Sequence, residues 1–327
     1  AGSSVAHLGS DGTHAIPVVC VGVGNLDKST DENMEVVRRA LGGGINALRK
    51  SEKKHVSIML PTAKEVDLTH EELIRQAAIL LHIATYSFVA FKQKKEVWTP
   101  EFIFVGSGKG DKTAIAAGSA IGVAMNRTRT LADTPPNHMT PSILAGHAAD
   151  ICKEYKLKYT VFGQDKAAEL GMGCFLSVAK GSVEEGKMVI MEYSCGDTDA
   201  PTIALVGKGV CFDTGGISLK PANYMTGMKY DMSGAAAVMG TMQVIAQSKP
   251  NVNVIGITPL VENMPDGRAS KQDDVVTAMN GKTVEIENTD AEGRLILSDA
   301  LTYVQKNYNP EVIIDIATLT GACAYAL

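Results

Sequence analysis

The chain has 327 residues, of which 45% are hydrophobic, and its 31 basic and 36 acidic residues give a formal net charge of −5. This charge, without a basic stripe, argues against nucleic acid as a partner. No apolar run approaches the roughly 18 residues of a membrane span, and the first residues lack the pattern of a signal peptide. The six cysteines show no C-x-x-C spacing. We therefore expect reduced thiols and a cytoplasmic protein with no membrane partner.

The length of the chain predicts two domains. Residues 1–112 alternate strand-like and helical runs, which predicts a smaller N-terminal α/β domain with strands at 16–23, 55–60 and 102–105 and helices at 32–41 and 71–84. A glycine-rich run at 105–113 is similar to a phosphate-binding loop. Asp111 stands where such a loop needs a glycine, so we expect an ordinary turn there.

An alanine-rich segment at 113–133 predicts a linking helix that ends before Pro135 and Pro136. Residues 134–327 form the second predicted domain, with strands at 188–193, 202–206, 252–259 and 312–319 and a helix at 294–308. Alternating strands and helices favour a largely parallel sheet flanked by helices. The predicted fold class is therefore α/β in two domains.

The most informative segment is Asn-Thr-Asp-Ala-Glu-Gly-Arg-Leu at residues 288–295. Asp290 and Glu292 lie two positions apart, and in extended backbone two such residues face the same side. Two carboxylates at that distance would raise each other's pKa unless a cation lies between them. We therefore expect an extended segment whose paired carboxylates bind metal, and not a solvated acidic turn.

A second cluster follows the apolar run at 202–206 and reads Val-Gly-Lys-Gly-Val-Cys-Phe-Asp-Thr-Gly-Gly-Ile-Ser-Leu-Lys-Pro. It begins where a buried parallel strand is expected to end, which is the usual place for a site in an α/β sheet. Asp231 stands just before a small-residue helix start, where the helix dipole favours an acidic residue. The last of the seven histidines is His147, so this stretch has none. A His-free carboxylate site suits hard or borderline divalent ions.

These segments resemble the M17 leucyl aminopeptidase family, whose hallmark octapeptide stands unchanged at 288–295. The second cluster also matches nearly residue for residue, and the resemblance runs from about Leu131 to the last residue. It implies a metallopeptidase that removes a Leu-like residue from peptides with a free N-terminus, by means of a hydroxide bridging two metal ions. It also implies Zn²⁺, or Mn²⁺ in one or both sites, a bicarbonate cofactor and a homohexamer.

The resemblance assigns five metal ligands: Lys208, Asp213, Asp231, Asp290 and Glu292. It assigns catalytic roles to Lys220 and Arg294, with Arg294 binding a bicarbonate that acts as general base. It assigns substrate binding to three further residues: Met228, Thr318 and Leu319. Four carboxylates would balance two doubly charged ions, and Lys208 would have to be neutral to act as a ligand.

The family's catalytic domain continues past residues 318–321, so we expect residues 134–327 to lack its C-terminal part. A second interpretation is a non-catalytic family member with a structural or DNA-binding role. Such a member is expected to lose metal ligands or Lys220 and to gain a basic stripe. This sequence shows neither change.

Overall fold

A computed structural model of the chain describes residues 4–10, 15–24, 26, 29–49, 52–93, 96–106 and 111–326. The chain divides into two compact units, Ala1–Asn126 and Arg127–Leu327. Each unit combines strands with helices, as predicted for a two-domain α/β protein. The division falls inside the predicted linking helix, so the domain boundaries at residues 112 and 133 stay predictions.

The N-terminal unit contains two pairs of strands and the helices that cover them. Its strands are β1 (Ser4–Ser10), β2 (Ala15–Val21), β3 (His55–Ile58) and β4 (Glu101–Phe104). Its first three helices are α1 (Thr30–Arg49), α2 (Ala63–Val66) and α3 (His70–Thr85). β1 pairs antiparallel with β2, and β3 pairs parallel with β4. The predicted strands and helices of this unit are all present, and α1 is longer than expected.

Helix α4 (Asp111–Asp133) occupies nearly the span predicted for the linking helix. Gly118 and Gly122 allow it to approach α3, because a Cβ at either position would collide with α3. Residues 107–110 of the glycine-rich run lie outside the described residues, so the turn predicted there is not tested. No helix in the described ranges is both long enough and apolar enough to span a bilayer.

The second unit follows with seven helices and eight strands in its described part. The helices are α5 (Pro141–Tyr155), α6 (Gln164–Glu169), α7 (Gly173–Ala179), α8 (Ala222–Met225), α9 (Ser233–Ser248), α10 (Glu292–Tyr308) and α11 (Cys323–Ala326). The strands are β5 (Lys158–Phe162), β6 (Lys187–Tyr193), β7 (Thr202–Gly207), β8 (Gly209–Asp213), β9 (Asn253–Asn263), β10 (Asp274–Thr277), β11 (Thr283–Ile286) and β12 (Val312–Ile316).

Six of these strands form one sheet in the order β12-β7-β9-β6-β5, with β8 paired to β9. β7 runs parallel to β9 and to β12, and β8 also runs parallel to β9. β6 is antiparallel to both β9 and β5, so it is the one strand of this described sheet that points the other way. The predicted largely parallel sheet is therefore confirmed.

Alternating side chains along the strands build a core on each face of this sheet. Val189 and Met191 of β6 pack in the same cluster as residues of α5 and α9. Met188 and Ile190 of the same strand pack in the cluster that contains α7 and α10. Because both faces are covered, β6 reads as a continuous apolar run and not as an alternating one. The predicted flanking helices are confirmed.

Several short strands escaped prediction. β5, β8, β10 and β11 have only four or five residues each, and their sequences are not continuously apolar. β9 continues past the predicted end at residue 259, because its last residues pair with β8. β12 ends at Ile316, three residues before the predicted end. Because β7, β8 and β12 run in the same direction, their carboxyl ends lie at the same edge of the sheet.

A buried carboxylate fixes helix α10, which opens with the end of the hallmark segment. Asp299 is fully buried and accepts hydrogen bonds from the backbone N–H groups of Phe175 and Met279, both at 2.8 Å. Burial raises the pKa of Asp299, and these hydrogen bonds oppose that effect. Asp299 therefore ties α10 to α7 and to the loop that follows β10.

Candidate metal centre

Three buried carboxylates converge at the carboxyl-terminal edge of the sheet. Asp213 ends β8, Asp231 lies in the 3₁₀ turn Met228–Met232 ahead of α9, and Glu292 is the first residue of α10. One oxygen of each carboxylate lies within 4.8 Å of the others. The geometry therefore allows these oxygens to coordinate one divalent cation together.

The extended backbone predicted for Asp290 and Glu292 is wrong. Residues Thr289–Ala291 form a 3₁₀ turn, and α10 begins at Glu292, two residues earlier than predicted. The side chain of Asn288 caps this 3₁₀ turn, because its Oδ1 accepts a hydrogen bond from the Asp290 N–H at 2.9 Å. Asp290 lies outside the group of three carboxylates. Lys220 connects it to Asp213, because the lysine contacts both carboxylates.

Lys208 directly follows β7 and bridges two of the carboxylates. Its Nζ lies 2.8 Å from Asp231 Oδ2 and 2.8 Å from Glu292 Oε1, and it donates to the carbonyl oxygen of Thr318 at 3.1 Å. Burial favours a lower pKa for Lys208, but the charges of Glu292 and Asp231 outweigh burial and raise that pKa. In this geometry Lys208 is an ammonium ion, and it would become a metal ligand only after losing a proton.

Lys220 bridges the other two carboxylates. Its Nζ lies 2.8 Å from Asp213 Oδ2 and also contacts Asp290 Oδ1. Burial alone would lower the pKa of Lys220, but the hydrogen bonds and charges of Asp213 and Asp290 raise it. Each lysine therefore pairs with a different pair of carboxylates.

The carboxylates have more negative charge than the lysines neutralise. With all six groups ionised, four negative and two positive charges leave a net charge of −2. Burial raises the pKa of Glu292 to about 7, and the charges of Asp213 and Asp231 add to this effect, although Lys208 opposes it. Burial also raises the pKa of Asp231 against the effect of Lys208.

Two buried carboxylate oxygens lack hydrogen bonds within the described part of the chain. They are Glu292 Oε2 and Asp231 Oδ2. Lys208 Nζ lies 2.8 Å from Asp231 Oδ2, so a cation already faces that oxygen, and Glu292 Oε2 is the oxygen that remains without a hydrogen-bond partner. A buried carboxylate oxygen without a donor is costly unless a cation faces it. The residues present therefore fit a divalent metal.

The sequence did not reveal the polar residues that connect the ligand-bearing segments. Asn263 at the end of β9 donates to Asp213, and Thr289 hydrogen-bonds to the backbone of Gly215 and Ser218. Asn263 was missed because the predicted strand ended at Pro259, whereas β9 continues to Asn263. The signal was its place just after an apolar run, where the end of a parallel strand reaches the site edge.

The remaining predicted residues lie on the segments that carry the centre or follow β12. Arg294 lies on the first turn of α10, is exposed, and makes no hydrogen bond or ion pair with the residues described. Thr318 Oγ1 donates to Asp231 Oδ1 at 2.7 Å. The side chain of Leu319 lies beside Gly293, where the end of the Lys208 side chain also lies. Met228 begins the 3₁₀ turn that carries Asp231 and is half-buried.

The sequence and the fold both match one protein family. Residues 126–327 match the catalytic domain of the cytosol aminopeptidase family, and residues 1–95 match its N-terminal domain. The chain belongs to the cytosol aminopeptidase family. The family membership inferred from the hallmark octapeptide is therefore confirmed.

Similar curated proteins carry the name "Probable cytosol aminopeptidase". The protein from Nitrosomonas europaea is 43% identical over 329 residues, which cover 98% of this chain and 65% of that protein. The protein from Paraburkholderia phytofirmans is 42% identical over 322 residues, which cover 97% of this chain and 63% of that protein. The chain therefore spans somewhat less than two thirds of the length of these family members.

Solved structures support the same fold. The bottromycin maturation enzyme BotP has a TM-score of 0.88 and 31% identity, covering 100% of this chain and 68% of that chain. BotP in complex with Mn has the same TM-score of 0.88 and 30% identity, covering 99% of this chain and 68% of that chain. Both domains of the α/β fold thus have structural counterparts in the family.

Glu292 should make the stability of the chelator-treated protein depend on pH. Its folded pKa of about 7 lies above the ordinary 4.5, chiefly because of burial, so the folded state binds this proton more tightly than the unfolded chain. The resulting stabilisation is complete below about pH 4.5 and is lost as the pH rises through about 7. Urea denaturation should therefore show the wild-type free energy of unfolding falling over this range relative to that of Glu292→Gln.

The exposed residue Glu287 provides the control, because Glu287→Gln makes the same change in net charge just ahead of the Thr289–Ala291 turn. A difference between wild type and Glu292→Gln that stays constant from about pH 4 to pH 8 would contradict the raised pKa of Glu292.

Proposed function

We propose that the protein is a di-metal aminopeptidase that hydrolyses the N-terminal residue of peptides with a free N-terminus and prefers a Leu-like residue there. The observation that carries this proposal is the buried group of Asp213, Asp231 and Glu292, in which Glu292 Oε2 has no hydrogen-bond partner among the described residues. The family of the chain and the names of its relatives support the reaction class.

We propose five ligands for two divalent ions: Lys208, Asp213, Asp231, Asp290 and Glu292. Carboxylate oxygens suit Zn²⁺ and Mn²⁺, and the solved complex of BotP contains Mn. Zn²⁺, or Mn²⁺ in one or both sites, is therefore the proposed metal. When bound, these ions would supply Lewis-acid polarisation of the scissile carbonyl group and an activated water as nucleophile.

Lys220 is proposed to stabilise the oxyanion that develops on the scissile carbonyl. Its ion pairs with Asp213 and Asp290 keep it protonated, and its side chain is only 14% exposed. A positive charge is more effective in such a partly buried site than in water, because the surroundings screen it less.

Arg294 is proposed as the residue that would hold a bicarbonate ion, which would supply a general base near the attacking water. Its guanidinium is exposed and has no partner within the described part of the chain. The planar fork of an arginine fits two oxygens of one anion. An external base is needed because all four carboxylates of the centre are proposed metal ligands and the chain has no histidine after His147.

The substrate's first side chain is proposed to lie against three residues: Met228, Thr318 and Leu319. Leu319 is 43% exposed beside Gly293, so it offers an apolar surface next to the centre. Such a surface favours a Leu-like residue over a charged one. A homohexamer and a cytoplasmic location are proposed from the family alone.

Cleavage should require the substrate's free amine. The α-amino group has a pKa of about 7.7–8.0, and we expect it to bind in its neutral form, so activity should rise as the pH increases toward about 8. Acetylation removes the basic lone pair and adds bulk. The purified protein with Mn²⁺ or Zn²⁺ should therefore cleave Leu-p-nitroanilide and leave N-acetyl-Leu-p-nitroanilide intact. Comparable cleavage of both substrates across pH 6 to 10 would rule out an aminopeptidase.

Replacing Arg294 should slow the chemical step. Arg294→Ala is expected to lower kcat by roughly 10²–10³-fold, the usual effect of removing one group that acts in the transition state, with a smaller change in KM. The variant should also lose any stimulation by added bicarbonate. Arg268→Ala, which removes another exposed arginine of the same unit, is the control. An unchanged kcat with an intact bicarbonate response would show that Arg294 has no catalytic role.

A further inference from the structure

Asn263 is the last residue of β9 and lies beside the end of β8. The strand register pairs it with Asp213, and the ladder is irregular between Val210 and Asp213. The residue is only 5% exposed. A buried amide needs partners for its polar atoms, so the groups around Asn263 show what its side chain does.

The orientation of the Asn263 amide follows from the chemistry of its neighbours. Nδ2 lies 2.8 Å from Asp213 Oδ1 and 3.0 Å from the carbonyl oxygen of Thr289. A carboxylate and a carbonyl can only accept hydrogen bonds, so the NH₂ group must face both of them. The other amide atom, Oδ1, would lie 2.8 Å from a Cβ at Gly216, where φ is +65°. The tight packing around the amide therefore requires glycine at position 216.

Two hydrogen-bond donors hold one oxygen of Asp213, and Lys220 lies against the other. Oδ1 of Asp213 accepts from Asn263 Nδ2 and from the backbone N–H of Gly215 at 2.9 Å. Oδ2 faces Lys220 at 2.8 Å. The hydrogen bond from Asn263 thus sets the rotation of the carboxylate and determines which oxygen is presented.

Asn263 also joins two segments that carry proposed ligands. Its backbone carbonyl accepts hydrogen bonds from Thr214, at 3.0 Å from the amide nitrogen and 2.7 Å from Oγ1. Its side chain holds the carbonyl oxygen of Thr289, which begins the 3₁₀ turn that carries Asp290. One residue therefore contacts the loop after β8 and the turn before α10.

We propose that Asn263 is a positioning residue of the metal centre. Its side-chain NH₂ group holds Asp213 and the Thr289–Ala291 turn in the arrangement that binds a divalent ion. This inference rests on the proposed metal-dependent function. Hydrogen-bonding partners of metal ligands typically contribute about 10–100-fold in metal affinity. The effect of losing the NH₂ group should therefore appear in metal binding itself, independently of turnover.

The test separates the donor of Asn263 from its volume. Asn263→Leu keeps the branched outline of the side chain without the NH₂ group, and Asn263→Ala removes both. Thr258→Val is the control on the same strand, because Thr258 is 1% exposed and its hydroxyl has no hydrogen-bond partner among the described residues. Each protein is stripped with a chelator and titrated with Mn²⁺ and with Zn²⁺ by calorimetry, below the melting temperature found by circular dichroism.

Both Asn263 variants should bind metal about 10–100-fold more weakly than wild type, and Thr258→Val should bind with wild-type affinity. Native affinity in Asn263→Leu would overturn the inference, since packing and not the donor would then hold the site. If Asn263→Leu does not fold, native affinity in a folded Asn263→Ala would overturn it equally. A wild-type protein that binds neither ion would instead refute the proposed function and this inference with it.

Discussion

The structure of the second unit depends on the compensation of four carboxylates gathered at one edge of the sheet. Taking charged groups out of water costs several kcal/mol for each ion unless opposite charges and hydrogen bonds replace the lost solvent. Lys208 and Lys220 each bridge two carboxylates, which links residues from β8, the turn before α9 and the start of α10. With all six groups ionised, two negative charges remain uncompensated, and this excess is the physical reason that the centre suits a cation.

The fold creates this concentration of charge through strand direction. β7, β8 and β12 run the same way, so Lys208, Asp213 and Thr318 follow or end strands at the same edge. Core clusters on both faces fix the sheet, and the buried Asp299 fixes α10 relative to α7. The ligands thus lie on segments whose positions are set by rigid elements, which limits the rearrangement that metal binding would require.

The helices and strands that were predicted correctly from the sequence are those with long periodic patterns. The buried strands, the linking helix and the parallel sheet follow from apolar runs and helical spacing. The backbone at Asp290 was mispredicted because the two-residue spacing of carboxylates suggested a strand, whereas the local hydrogen bond of Asn288 begins helical geometry. Asn263 was missed because the predicted strand ended at residue 259, and its contacts with Asp213 and Thr289 join residues that are distant in the sequence.

The most direct test of this account is the metal content of the purified protein. Equilibrium dialysis against Zn²⁺ or Mn²⁺, followed by elemental analysis, should find two ions per chain in the wild type. It should find fewer than two in Glu292→Gln and in Asp290→Asn, because each substitution removes a proposed ligand. A wild-type protein that binds no divalent ion, or variants that keep both ions, would contradict the assignment of this centre.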